Sequence, residues 1–173
     1  MTTLRLSTTS LLLAFGLLIS GCTSATNDVL PTQATGFHSD DECHICGMVI
    51  MRFPGPKGEA ANARGKVRKF CSSTELFQWW LQPENQRQSL ALFVHDMGNT
   101  DWFQPENEHL MDAKSAHYVM APHMRGAMGT PIASFSELEK AKTFAAKDNA
   151  PVLSFDELIE QLQQQQNHMG HHH

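Results

Sequence analysis

The spacing of apolar and polar positions divides the chain into an apolar N-terminal block, a polar stretch, and two segments that run through the same patterns in the same order. In the first segment, Met48–Phe53 (M-V-I-M-R-F) reads as a strand, followed by the Pro/Gly-rich loop P-G-P-K-G-E-A-A-N-A-R-G. Lys66–Phe70 alternates like a second strand. Ser72 with Glu75 three residues on is a capping box, which predicts a helix carrying Leu76, Phe77, Trp79, Trp80 and Leu81. Leu90–Val94 is a strongly apolar strand.

The second segment repeats this order. Ala116–Met120 reads as a strand, A-P-H-M-R-G-A-M-G-T-P as the loop, and Ile132–Phe135 as a short strand. Ser136 and Glu139 predict a capped helix to about Lys147, Pro151–Ser154 a strand, and Asp156 the cap of a last helix with Leu158, Ile159 and Leu162 on one stripe. The expectation is an α+β fold of two tandem, pseudo-symmetric ββαβ units, 38–100 and 101–162, with a C-terminal helix. Coincidence is the alternative, because strand–cap–helix junctions look alike in any α+β protein. Residues 163–173, rich in Gln and His, read as a disordered tail.

The apolar block Leu11–Ile19 is too short to cross a bilayer comfortably and has the proportions of a secretory signal. It ends in Ile19-Ser20-Gly21-Cys22, which resembles a bacterial lipobox. Residues 1–21 are then a lipoprotein signal peptide and Cys22 the lipidated residue, although an ordinary signal with an incidental Cys22 would read similarly. Thr23, where an Asp would favour inner-membrane retention, leans the assignment to the outer membrane, facing the periplasm. The lipid would anchor the protein without spanning the bilayer. Residues 22–37 are small and polar and read as a flexible tether.

Composition narrows the function. The 173 residues carry a formal net charge of −5, with 13 Lys and Arg against 18 Asp and Glu, which argues against nucleic-acid binding. A mean hydropathy of −0.32 excludes a polytopic membrane protein. The 9 Met, 10 His and 4 Cys are the unusual excess, and all are metal ligands. With Cys22 acylated, Cys43, Cys46 and Cys71 remain, an odd number that a disulfide scaffold does not explain.

The sharpest motif is Cys43-His44-Ile45-Cys46-Gly47-Met48. Two thiols in C-x-x-C spacing can chelate one soft ion or oxidise to each other. Gly47 lets the backbone turn tightly, so that the Met48 thioether can fold back towards Cys46. Thiols with a thioether favour Cu(I) over zinc or hard cations. A c-type haem site fails because Gly47 stands where His is required. Redox catalysis of the thioredoxin kind, a structural zinc site and a plain Cys43–Cys46 disulfide remain open. Zinc lacks an evident second ligand pair. A second ligand-rich stretch, Met120–Gly129, holds His123, Met124 and Met128 in a loop, where such residues serve either as gap-fillers or as ligands. If the two units pack about a pseudo-twofold, this loop meets the Cys segment and completes a three-coordinate site. Met128, bracketed by Gly126 and Gly129, is the preferred partner, with Met124 and His123 behind it. Cys71, between a strand and its cap, reads as a small buried apolar residue. No Ser-His-Asp arrangement, phosphate loop or catalytic carboxylate pair is evident.

Together the lipobox, C-H-I-C-G-M, P-G-P-K-G-E, Tyr118-Val-Met and Met128-Gly129 resemble the NosL family, accessory lipoproteins of nitrous-oxide reductase. The resemblance implies a periplasmic, lipid-anchored Cu(I) chaperone rather than an enzyme. It implies delivery of copper for that reductase's centres, together with its membrane-associated maturation machinery, by a protein that works as a monomer. Its metal positions fall on Cys46 and Met48, then Met128, then Cys43. The alternatives are a periplasmic thiol–disulfide oxidoreductase or redox sensor using Cys43 and Cys46, and a zinc-stabilised interaction module.

Overall fold

Small residues mark the middle of the main sheet. Strand β1 (Gly58–Ala61, G-E-A-A) is buried along its whole length and lies between β2 (Val67–Phe70) and β3 (Ala91–His95), both antiparallel to it. A short β4 (Leu110–Asp112) pairs with β3 and completes the sheet in the order β2-β1-β3-β4. Helix α1 (Ser73–Trp80) crosses this sheet so closely that a Cβ on Gly58 would lie 2.6 Å from the Leu76 Cβ. That approach explains the glycine at 58, and with two alanines beside it the strand reads as a loop from pattern alone.

The structure is a computed structural model that describes residues 29–170; the signal region 1–21, Cys22 and residues 171–173 lie outside the described residues. The strand expected over Met48–Phe53 is instead a single bridge, Val49 to Glu42, leading into a 3-10 turn at Ile50–Arg52. Its apolar residues face a local cluster with Phe37, Cys43 and Cys71 rather than a sheet, so the hydrophobic run reflects burial without strand pairing.

After a one-turn helix α2 (Pro83–Gln86) and the first sheet come β5 (His117–Met120) and β6 (Ile132–Phe135), an antiparallel pair. Next come α3 (Leu138–Ala145) and α4 (Phe155–Gly170). The expected strand Pro151–Ser154 is reduced to one antiparallel bridge, Leu153 to Tyr118. In both segments the first strand lies between the second and the third. β4, which lies beyond residue 100, belongs to the first sheet.

Caps differ from the sequence pattern in two places. Ser72 accepts from the Glu75 amide at 3.1 Å, as its box predicts. Ser136 does not cap α3; its hydroxyl donates to Asp96 at 2.5 Å, and Glu137 occupies the N-cap without a side-chain bond. At α4 the box is formed by Ser154 and Glu157 rather than Asp156: the Ser154 amide donates to the Glu157 carboxylate at 2.7 Å, and its hydroxyl accepts in return at 3.4 Å. The helix then runs to Gly170, through much of what reads as a disordered tail.

One core joins the two segments. Phe77 of α1 meets Tyr118 of β5 edge-on at 5.4 Å and Phe155 of α4 at 6.1 Å. The Tyr118 hydroxyl donates to the Ala113 carbonyl at 2.5 Å, which satisfies the buried phenol. Ser73 and Ser134 stitch the sheets together through bonds of 2.6 Å to the carbonyls of Ile132 and His95.

The last part of the expected tether is not free. Fully buried Glu59 accepts from the Thr35 amide at 2.8 Å, the Thr35 hydroxyl at 2.9 Å and the Gly36 amide at 3.1 Å. Asn107 grips Phe37 on both sides, accepting from its amide at 2.8 Å and donating to its carbonyl at 2.9 Å. Glu59→Ala should lower stability by about 2 kcal/mol in urea unfolding, because it removes three hydrogen bonds and strands the buried Gly36 amide, and should open the chain before Phe37 to proteolysis.

Candidate metal centre

The C-H-I-C-G-M segment closes on itself as a turn. The Cys43 amide donates to the Met48 carbonyl and the Gly47 amide to the Cys43 carbonyl, each at 2.9 Å. Gly47 has φ +69, a left-handed conformation that favours glycine, with open space where a Cβ would stand. The His44 amide donates to the Lys69 carbonyl at 2.8 Å, which lays the turn along β2. Its ring meets Phe70 and Trp79 edge-on, both at 5.9 Å. The turn buries Cys43 and leaves Ile45 and Cys46 exposed.

β2 ends directly beneath this turn, and the cap that starts α1 fixes the residues on either side of it. Cys71 lies between Phe70 and the capping Ser72 and is fully buried, while Glu75 points back from the first helical turn. The Cys46 and Cys71 sulfurs are 3.8 Å apart, and Cys43 Sγ lies 3.7 Å from a Glu75 carboxylate oxygen. Cys43, Cys46, Cys71 and Glu75 place one ligand atom each within 4.8 Å of all the others. The three described cysteines are free thiols. Sequence reasoning missed Cys71 and Glu75 as site residues. Both are buried, as a packing role for Cys71 predicts, but their polar atoms converge on the Cys turn. The available signal was a cysteine immediately before a helix cap, on the strand against which the motif folds.

The cluster holds one sulfur as an anion more readily than the others. The Cys43 thiol is pushed down to about 4 because the Cys71 S–H donates to it, helped by backbone amides of Cys46, Cys71 and Ile45, against the opposing effect of burial. Amides can only donate, so a sulfur facing three of them is an acceptor. Cys71 moves the opposite way, since ionising it would forfeit its bond to Cys43 and bring like charges together in a buried site. Burial, and then the neighbouring Cys43 charge, raise the Glu75 carboxyl.

The methionine positions separate into two groups. Met48 packs against Phe37, Cys43, Ile50 and Cys71. Ala127 packs on the same cluster, and its neighbour Met128 is 45% exposed. The loop carrying Met128 is held to the start of α1, where the Thr74 hydroxyl donates to the Thr130 carbonyl at 3.0 Å. Met124 and His123 do not join the thiols. Met124 packs into a separate core around Trp102, where it fills space, and His123 pairs with Asp148 and tilts over Phe144 at 5.6 Å.

A family profile, NosL, matches residues 34–163. The chain belongs to the NosL family. It is 46% identical over 162 residues, 94% of this chain and 84% of the relative, to the copper-binding lipoprotein NosL of Stutzerimonas stutzeri. It is 28% identical over 123 residues, 69% of this chain and 64% of the relative, to the copper-binding lipoprotein NosL of Achromobacter cycloclastes. The crystal structure of the copper chaperone NosL from Shewanella denitrificans superposes with a TM-score of 0.69 at 41% identity, covering 73% of this chain and 96% of that one. The mixed fold of antiparallel strands and a C-terminal helix is therefore that of a NosL protein.

The Cys43 shift carries a sign that can be measured. Its folded value is depressed from 9.0, so its contribution is fully present above the ordinary thiol range and is lost as pH falls towards about 4. Between about pH 8 and about pH 6, the reduced protein should lose stability to urea more steeply than a Cys43→Ala variant. Equal slopes would mean that Cys43 stays protonated.

Proposed function

We propose that this NosL protein is a non-enzymatic Cu(I) chaperone, anchored through lipid on Cys22 to the periplasmic face of a bacterial membrane, the outer membrane by preference. The observation that carries the reading is the donor set: three thiols and one carboxylate converge, and Cys46 alone among them faces solvent. Thiolate sulfur suits monovalent copper, and an exposed ligand admits a partner's ligand before the chaperone's own bonds break. The names of its relatives, copper-binding lipoprotein and copper chaperone, support the cargo and the anchor. No described helix is long and apolar enough to cross a membrane.

Within this reading Cys46 is the transfer ligand, Met48 and Met128 are its thioether partners, and Cys43 lies behind them. The client is nitrous-oxide reductase, reached together with its membrane-associated maturation machinery, as membership of this family suggests. The protein acts as a monomer. A thioredoxin-like role finds no support in the geometry, because the C-x-x-C pair lies in a turn and not at a helix start.

A fourth donor, Glu75, favours one second reading, a structural zinc site with four ligands. The two differ when the metal is absent. A chaperone that releases its ion stays folded, so the metal-free protein should melt cooperatively, whereas a zinc module would unfold on chelation. In a Cu(I) competition titration, Cys46→Ala combined with Met48→Ala should weaken binding by at least about 100-fold. Full retention of affinity would overturn the site assignment.

A further inference from the structure

Cys43, Cys46 and Cys71 form a pocket of sulfur that is deeper than a transfer site requires. Cys43 and Cys71 are buried, and only Cys46 opens to solvent. The 3.8 Å between the Cys46 and Cys71 sulfurs is the separation that two metal–thiolate bonds of about 2.3 Å impose on a shared ion. With the Cys43 sulfur within 4.8 Å of both, the trio lies within reach of one ion. Met128 is exposed, on a loop whose neighbouring Ala127 rests on the same cluster.

We propose that this chain has two seats for one ion: a closed seat of three thiolates, Cys43, Cys46 and Cys71, and an open seat formed by Cys46 and Met128. The proposal rests on the copper-chaperone reading and deepens it by adding Cys71, which gives the cargo a protected position. Cys46 belongs to both seats and is the pivot. A soft cation binds thiolate in preference to thioether, so the ion rests in the closed seat, shielded from water and oxidants. Delivery is a ligand exchange without electron transfer. The bonds from copper to Cys43 and Cys71 break and a bond to the Met128 sulfur forms; the two released thiolates share one proton taken from solvent, with Cys71 the donor and Cys43 left as the accepting anion. Copper stays Cu(I) throughout and remains bonded to Cys46. Glu75, a hard oxygen donor, does not enter the soft shell; it stands beside Cys43 as a hydrogen-bond partner.

The test uses the whole reduced chain, Cu(I), a competing chelator and X-ray absorption. Cys71→Ser should weaken Cu(I) binding by at least about tenfold, speed loss of copper to the chelator and lower the sulfur count from three to two. Met128→Leu should slow copper transfer to the chelator by at least about tenfold, and transfer at the unaltered rate would overturn the open seat. Should Cys71→Ser fail to fold, the Met48→Leu, Met128→Leu double variant decides, because its site sulfurs are those of the cysteines: three sulfurs per copper support the closed seat, and two or fewer overturn it. Unchanged affinity and sulfur count in folded Cys71→Ser also overturn it. The chaperone reading fails separately, on retention of binding by the Cys46→Ala, Met48→Ala protein.

Discussion

Helix α1 lies against β1 at a distance that only glycine at position 58 permits, and the metal centre inherits its geometry from that contact. A Cβ at Gly58 would meet the Leu76 side chain at 2.6 Å, so any larger residue would lift the helix from the sheet. The helix start would lift with it, and with the start go Ser72, Cys71 immediately before it and Glu75 one turn on. The same helix start holds the β5–β6 loop through Ser73 and Thr74. Both halves of the site are thus referred to one packed surface rather than to each other, which keeps ligands from three chain segments in register when no ion bridges them.

The electrostatics of the site are equally self-contained. The anionic sulfur is stabilised mainly by a thiol and by backbone amides, with no Arg or Lys bonded to it. Donors of this kind are withdrawn as easily as they are offered, because a thiol can become a ligand itself and an amide needs no counter-ion. The buried cation Lys57 is committed elsewhere: its ammonium donates to the carbonyls of Phe53, Pro54 and Gly55 at 2.6–3.2 Å and fixes the loop between the Cys turn and β1. A site tied by an ion pair would hold its anion against the metal; this one exchanges a proton for it.

Much of the fold was legible in the sequence, because local chemistry acts there at full strength. The Ser72 box, the alternation of Lys66–Phe70 and the apolar run ending at Val94 each appear within a residue or two of where the pattern puts them. What misled was burial without periodicity. Gly58–Ala61 is a central strand of small residues, and Met48–Phe53 is an apolar run with no partner strand. At the site, the Cys turn and its tight glycine were legible because neighbours in sequence form them. Cys71 and Glu75 were not, since their approach depends on a strand pairing and a helix cap some 25 to 30 residues away. His123 and Met124 had the right chemistry, but neighbouring partners, Asp148 and the Trp102 core, claim them.

The docked N-terminal segment turns a length into a direction. Leu30 and Pro31 share a groove with Leu90–Phe93 and Lys114, at one end of the first sheet, while Phe37 stacks on His95 and packs beside Cys43 at the other. Leu30 and Pro31 therefore lie at the end of the sheet remote from Cys46. The first described residues and the sulfur cluster thus occupy opposite ends of one sheet, so a partner can approach Cys46 without displacing the docked segment.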